Sequence, residues 1–345
     1  MTVGGDPVAL GQLLRSRRER LVPADVGLPA GFGAGWSGPA GGPRGGSGGG
    51  SGGRRRRAAG LRREEVALLA NVSVTYYTYL EQGRPVRPSA QVLDALASAL
   101  RMSAAERRYL HVLAYGPGEG DGPGLGGVDG VGVVGGAGAV GGADAVGAVG
   151  AVGAEGGAGA AGVLAAAERV DPAVADLVQR LRPFPAVVKG RRWDILAANP
   201  AARELFAGWG AGLAGPADSA ASGSAGAAGE RNLIRWMFTC GQAREVYLEW
   251  EAEARAMLGR FRLAAARYPD DTGVSALIAE LLRDSEHVRD WWPRHDVAAM
   301  GSGTKKLRHP RLGPMVYSHV VLQVADHPDQ TLVTYSPAAP PGSGR

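Results

Sequence analysis

The sequence predicts a multidomain chain, an all-α domain of five helices followed by an α+β domain, joined by a flexible Gly/Ala/Val-rich linker. Three observations predict it. Short stretches with apolar residues three and four apart crowd the first 115 residues. β-branched strand patterns gather towards the other end of the chain. Three low-complexity tracts, at about 27–53, 116–162 and 208–229, hold many of the 56 glycines. Such tracts bury too little side chain to offset the entropy of ordering them, so they read as flexible coil. The resulting limits are 9–115 for the helical domain, 116–162 for the linker and 163–337 for the α+β domain.

In the first domain, Ala9–Arg20 is a helix with Leu10, Leu13 and Leu14 on one face. Arg62–Ala70 carries Val66, Leu69 and Ala70 at helical spacing, and Ser73–Gln82 follows after a short turn. Ser89–Leu100 places Val92, Leu93, Leu96 and Leu100 in one stripe. Ser103-Ala104-Ala105-Glu106 is a capping box that opens a fifth helix through about Ala114. Beyond the linker, Asp171–Arg182 is helical. Pro185–Ala198 reads as two strands about a Lys189-Gly190 turn, and Asn199-Pro200 caps a helix to Phe206. Arg231–Thr239, Arg244–Tyr268 and Thr272–Trp292 read as helices. Thr304–Ser336 is strand-rich, with β-branched residues in Met315–Val324 and Thr331–Tyr335. Helices on one face of an antiparallel sheet would bury the aromatics of this half.

Charge is distributed unevenly. The net charge is +5, but residues 1–115 hold 16 arginines against 8 acidic residues, so the remainder is net −3. A basic module beside a non-basic domain suits a polyanion partner. A lone cysteine, Cys240, forms no intramolecular disulfide and fits a reducing compartment. The N-terminus has neither a basic leader nor an apolar run. The stretch near Val128–Val152 is rich in glycine and broken by Asp129 and Asp144, which argues against a membrane span. A soluble, cytoplasmic protein is expected. The six histidines show no metal-ligand spacing, and Gly301–Lys306 lacks the Gly-Lys-Ser/Thr ending of a phosphate loop. No catalysis, metal or cofactor is expected.

The densest signal lies between Arg62 and Gly83. Two amphipathic helices meet at a tight turn where Asn71 tolerates the left-handed conformation and Ser73 caps the second helix. Val72, Tyr77 and Leu80 fall inward; Val74, Thr75, Tyr76 and Tyr79 face out. This pattern resembles the lambda-repressor-like (Cro/cI-type, XRE) helix-turn-helix. Leu61–Ala67, Tyr76-Tyr77, Leu80–Gly83 and Pro88–Leu96 are similar to its actinobacterial MmyB-like branch. The likeness resumes in Trp193–Ala202, Glu230–Leu233, Trp291–Val297 and Gly303–Lys306.

The resemblance implies a transcription regulator that binds double-stranded DNA as a homodimer, without a membrane role. By position, Ser73, Val74, Thr75 and Tyr79 would face base edges, and Arg63, Tyr76, Arg84 and Arg87 would approach phosphates. The run Arg54–Arg57 reads either as an arm on DNA or as a solvated cluster. The resemblance further implies a PAS-like C-terminal domain holding an apolar, fatty-acid-like molecule. Trp193, Phe206, Trp236 and Trp250 would supply walls, and Asn199, Arg231 and Asn232 a polar end. The alternative is a regulator that binds DNA constitutively, its second domain serving dimerisation or protein recruitment without a ligand.

Overall fold

The computed structural model describes residues 5–28, 60–116, 168–206 and 231–338. The glycine-rich tracts, apart from their edges, and Arg54–Arg57 lie outside the described residues.

Four of the five described α-helices of the first domain begin at a side chain that accepts from an otherwise orphaned amide. α1 (Pro7–Arg20) opens on Asp6, which accepts from the Ala9 amide at 2.9 Å. α2 (Arg63–Leu69) ends at a turn in which Asn71 adopts φ 53°. α3 (Val74–Glu81) is capped by Ser73, whose hydroxyl accepts from the Tyr76 amide at 3.1 Å. α4 (Ala90–Ala99) is capped by Ser89, and α5 (Ala104–Tyr115) opens on the Ser103/Glu106 capping box. Leu10, Leu13, Leu14, Val66, Tyr77, Leu80, Leu93, Leu96 and Leu110 close one core at 2% exposure or less. Gly11 lets α1 cross α3 closely, since a Cβ there would stand 2.6 Å from the Glu81 carbonyl oxygen.

The second domain is built on one five-stranded antiparallel sheet with strand order β2-β1-β5-β4-β3. Its strands are β1 (Ala186–Lys189), β2 (Ile195–Ala198), β3 (Gly303–His309), β4 (Gly313–Val324) and β5 (His327–Pro337). Its described helices are α6 (Pro172–Arg180), α7 (Pro200–Leu205), α8 (Leu233–Thr239), α9 (Gln242–Val246), α10 (Trp250–Ala265), α11 (Thr272–Asp284) and α12 (Glu286–Trp291). The large core joins one sheet face, with Val187, Leu307, Tyr317, Val333 and Tyr335, to residues of α7–α12. On the opposite face, Ala186, Val188 and Leu332 pack with Val178 of α6. Helices therefore cover both faces at the β1 side rather than one face alone.

Three details depart from the sequence reading. The helix expected over Arg244–Tyr268 breaks after Val246, because Tyr247 turns extended and bridges to Leu307 of β3. The helix expected over Thr272–Trp292 divides at Ser285 (φ −123°), whose hydroxyl then caps α12 through the Val288 amide at 3.4 Å. The Lys189-Gly190 turn is wider than two residues and runs through Trp193, which itself adopts φ 67°.

The two folded parts meet at the segment Trp292–Val297. The Ser16 hydroxyl of α1 donates to the Arg294 carbonyl at 2.8 Å, and Arg20 pairs with Asp296 and bonds the same carbonyl. Leu263, Ala266 and Val297 pack against the helical core. Arg262, 4% exposed, lies over the Trp292 ring at 3.9 Å, donates to the Trp292 carbonyl and reaches His295 Nδ1 at 3.4 Å. His295 is held left-handed at φ 55°, and burial followed by repulsion from Arg262 lowers its pKa to about 4, leaving the ring neutral.

Candidate nucleic-acid interface and ligand core

α3 turns its two sides to different tasks. Tyr77 and Leu80 are plugged into the core, which fixes the helix rotation; Val74 (38%) and Tyr79 (36%) then stand exposed, with Ser73 and Thr75 exposed beside them. Tyr76 is half-buried, and burial raises its phenol above the ordinary value, so it remains a neutral hydrogen-bonding group. Arg84 follows the helix and stacks its guanidinium 4.2 Å from the Tyr79 ring centre, which ties a cation to an outward aromatic. Arg87 lies 5.7 Å over the Tyr115 ring. Arg63 is exposed but already engaged, donating to Glu81 at 2.9 Å.

Glu81 organises the base of this surface. Its side chain is 1% exposed and receives Arg18 at 2.9 and 2.8 Å, besides Arg63. Burial acts to raise its pKa, yet the hydrogen bonds from Arg18 and Arg63 outweigh it and hold the carboxyl below its ordinary value. The paired charge thus locks α1, α2 and α3 together under the outward residues.

The predicted ligand residues divide. Phe206 and Trp236 meet edge to face with ring centres 6.3 Å apart, and Phe206 also touches Tyr247 and Tyr335 at 6.1 and 5.2 Å. Trp193 packs instead against Phe261 at 5.8 Å, and Trp250 against Phe238 and Trp291. The polar candidates are committed within the fold. Asn199 accepts from the Ala186 and Ala202 amides and donates to the Val178 and Phe184 carbonyls, which uses its full capacity. Asn232 donates to the Arg192 carbonyl and to Asp194, and accepts from the Arg235 amide. The Arg231 carbonyl continues the β2 edge by accepting from the Ile195 amide at 2.7 Å.

Comparison with protein families decides what this arrangement belongs to. Residues 53–110 match a helix-turn-helix domain, and residues 170–343 match the MmyB-like transcription regulator ligand binding domain. The chain belongs to the MmyB-like transcription regulator family. It is accordingly a DNA-binding transcription regulator with a ligand-binding domain. No curated protein matches the chain.

In this MmyB-like regulator one interior group is a residue that the sequence pattern places at a turn. Lys189 ends β1 with 5% exposure, and its ammonium lies 4.1 Å from the Trp193 ring centre. Burial, reinforced by repulsion from Arg260, brings its pKa down to about 7. Desolvating a lone ion costs several kcal/mol, whereas a buried cation–π contact returns only about 2 kcal/mol, so the ring compensates it in part. Trp193 holds that place in a conformation costing about 1–2 kcal/mol. Its amide bonds the Gly190 carbonyl and its carbonyl accepts from the Leu233 amide, both at 2.9 Å. The alternation of β1 could have revealed Lys189, since it shares a face with the core residue Val187.

Proposed function

We propose that this regulator reads specific DNA sites as a homodimer in the cytoplasm, and that an apolar, fatty-acid-like effector bound in a PAS-like C-terminal domain controls it. One observation carries the DNA half: the buried pair Tyr77 and Leu80 fixes α3 so that Ser73, Val74, Thr75 and Tyr79 point outward together. These four meet base edges in the major groove, while Arg63, Tyr76, Arg84 and Arg87 meet phosphates. The effector half rests on the family match and on the aromatic core around Phe206 and Trp236. No described helix is long and apolar enough to cross a membrane.

The double variant Thr75→Ala/Tyr79→Ala tests the DNA half. With its operator selected from random duplexes, the wild-type protein should exceed the variant by about 1–3 kcal/mol per lost base contact, at unchanged thermal unfolding. Equal binding by both proteins would remove α3 from the interface.

One observation favours a second reading, in which the C-terminal domain only mediates protein contacts. Its aromatics fill their own core, Phe206 at 0% and Trp236 at 4% exposure. Native mass spectrometry before and after denaturing extraction separates the two. A reproducible extra mass released on unfolding supports the effector reading, and bare chain masses support the second.

A further inference from the structure

The loop between α3 and α4 is stiff and carries two outward arginines. Gly83 turns left-handed at φ 68°, and the Arg84 amide donates back to the Tyr79 carbonyl at 3.0 Å. Pro85 and Pro88 fix their own φ, and Val86 packs against the helical core. The Val86 amide donates to the Arg84 carbonyl at 2.7 Å. The backbone of residues 84–88 is thereby set, with Arg84 and Arg87 exposed along it.

A set backbone still leaves an arginine side chain many rotamers. Two tyrosines narrow them. Arg84 lies 4.2 Å over the ring of Tyr79, its neighbour at the end of α3. Arg87 lies 5.7 Å over the ring of Tyr115, which α5 supplies. The Tyr115 hydroxyl also donates to the carbonyl of the buried Pro88 at 2.9 Å, across 27 positions of sequence. One side chain thus holds both the guanidinium of Arg87 and the backbone beside it. Tyr115 is half-buried and is itself supported by His111, one turn earlier, with ring centres 6.0 Å apart. His111 Nε2 in turn lies 3.2 Å from Asp94 of α4. Burial raises the Tyr115 phenol above its ordinary value, although Arg87 acts against it, so the hydroxyl stays a neutral donor.

We propose that Tyr115 is a positioning residue for DNA binding, which presents the Arg87 guanidinium to a backbone phosphate as Tyr79 presents Arg84. This role rests on the reading above that Arg87 meets a phosphate, and adds the residue that aims it. A guanidinium aimed before binding loses less rotamer freedom on contact. The contact carries charge but no sequence information, so its loss weakens all duplexes alike.

The test is fluorescence anisotropy of the full-length protein on its selected operator and on an unrelated duplex, across a series of salt concentrations. Arg87→Gln should reduce the salt slope of log K by about 0.9 on both duplexes, the share of one phosphate. Tyr115→Leu should weaken both by the same factor, about three- to tenfold, and lower the slope in the same direction. In the Arg87→Gln background it should add nothing. Tyr115→Phe, which keeps the ring, should recover most of the loss. Should Tyr115→Leu fail to fold by circular dichroism, Tyr115→Met is read in the same way. The positioning role is overturned by wild-type binding in Tyr115→Leu, by an effect that adds to that of Arg87→Gln, or by a loss confined to the operator. Each of these leaves the DNA reading of α3 standing. An unchanged slope in Arg87→Gln overturns the phosphate role of Arg87 and the positioning role together.

Discussion

In the helical domain the buried Glu81 carboxylate lies between Arg18 and Arg63; in the ligand-binding domain the buried Lys189 ammonium lies on a tryptophan ring. Both groups are nearly excluded from water. The first is electrically complete and fastens three helices. The second is incomplete, and its pKa falls towards neutrality as a result. Pairing makes a buried charge a structural fastener, whereas a buried charge without a counter-ion is a cost to the fold.

The largest expected effect breaks the complete network. Glu81→Ala should destabilise the protein by about 3–5 kcal/mol in urea titration, because Arg18 is then left buried without its carboxylate. The pH dependence has a definite sign. The folded-state pKa of Glu81 is below its ordinary value, so its contribution is present above that ordinary value and is lost as pH falls through the folded one. The wild-type protein and Glu81→Ala should therefore converge in stability under acid. A constant difference down to low pH would show that Glu81 acts by packing rather than by charge.

A smaller effect of opposite sign is expected at Lys189. Lys189→Met removes an ion from the core at similar volume and should stabilise the protein by about 1–3 kcal/mol near and below pH 7. Unfolded lysine titrates near 10.5 and the folded group at about 7, so between those values the unfolded state binds the extra proton. Wild-type stability therefore rises with pH across that window, and the advantage of the variant should shrink there. Chemical denaturation at pH 6 and at pH 10 checks it. A variant advantage that does not change with pH would show that the ammonium is not desolvated as the structure has it.

The contrast also marks how far the sequence could be read. The helical domain was legible because its determinants are local: Ser73 and Ser103 cap, Asn71 turns left-handed, and leucines recur at helical spacing. The outward side of α3 followed from the same periodicity. Glu81 was visible as a member of the Leu80–Gly83 motif, but its buried pairing with Arg18 joins residues 63 positions apart and has no local signature. In the second domain the break at Tyr247 is imposed by a distant partner, the β3 strand, whereas that at Ser285 is a local cap hidden in an otherwise continuous helical pattern. Asn199 reads from the sequence both as a cap and as a ligand contact, and Asn232 as a ligand contact alone. In the structure both cap helices and spend their amide groups on partners far away in the chain or across the β-bridge, which no local pattern announces. Lysine after two valines reads as a turn at the end of a strand, yet the alternation of β1 sets Lys189 on the face of Val187, and the β1–β5 register fixes it inside.

The smallest expected effect concerns a charge pair neither buried nor unpaired. Arg20 and Asp296 join α1 to the segment after α12, with side chains 36% and 51% exposed. Solvent screens such a pair, so Arg20→Ala should change global stability by less than about 1 kcal/mol. Its consequence should be local. Arg20 also bonds the Arg294 carbonyl, and Ser16 holds the same carbonyl at 2.8 Å, so α1 grips the seam through both residues beside the packing of Val297. Hydrogen exchange of residues 294–298 should quicken in Arg20→Ala and more so in Ser16→Ala/Arg20→Ala, while α3 amides keep their protection. Acceleration that spreads into α3 would mean that the seam and the recognition helix open as one unit, and that the ligand-binding domain can reach the DNA surface through α1.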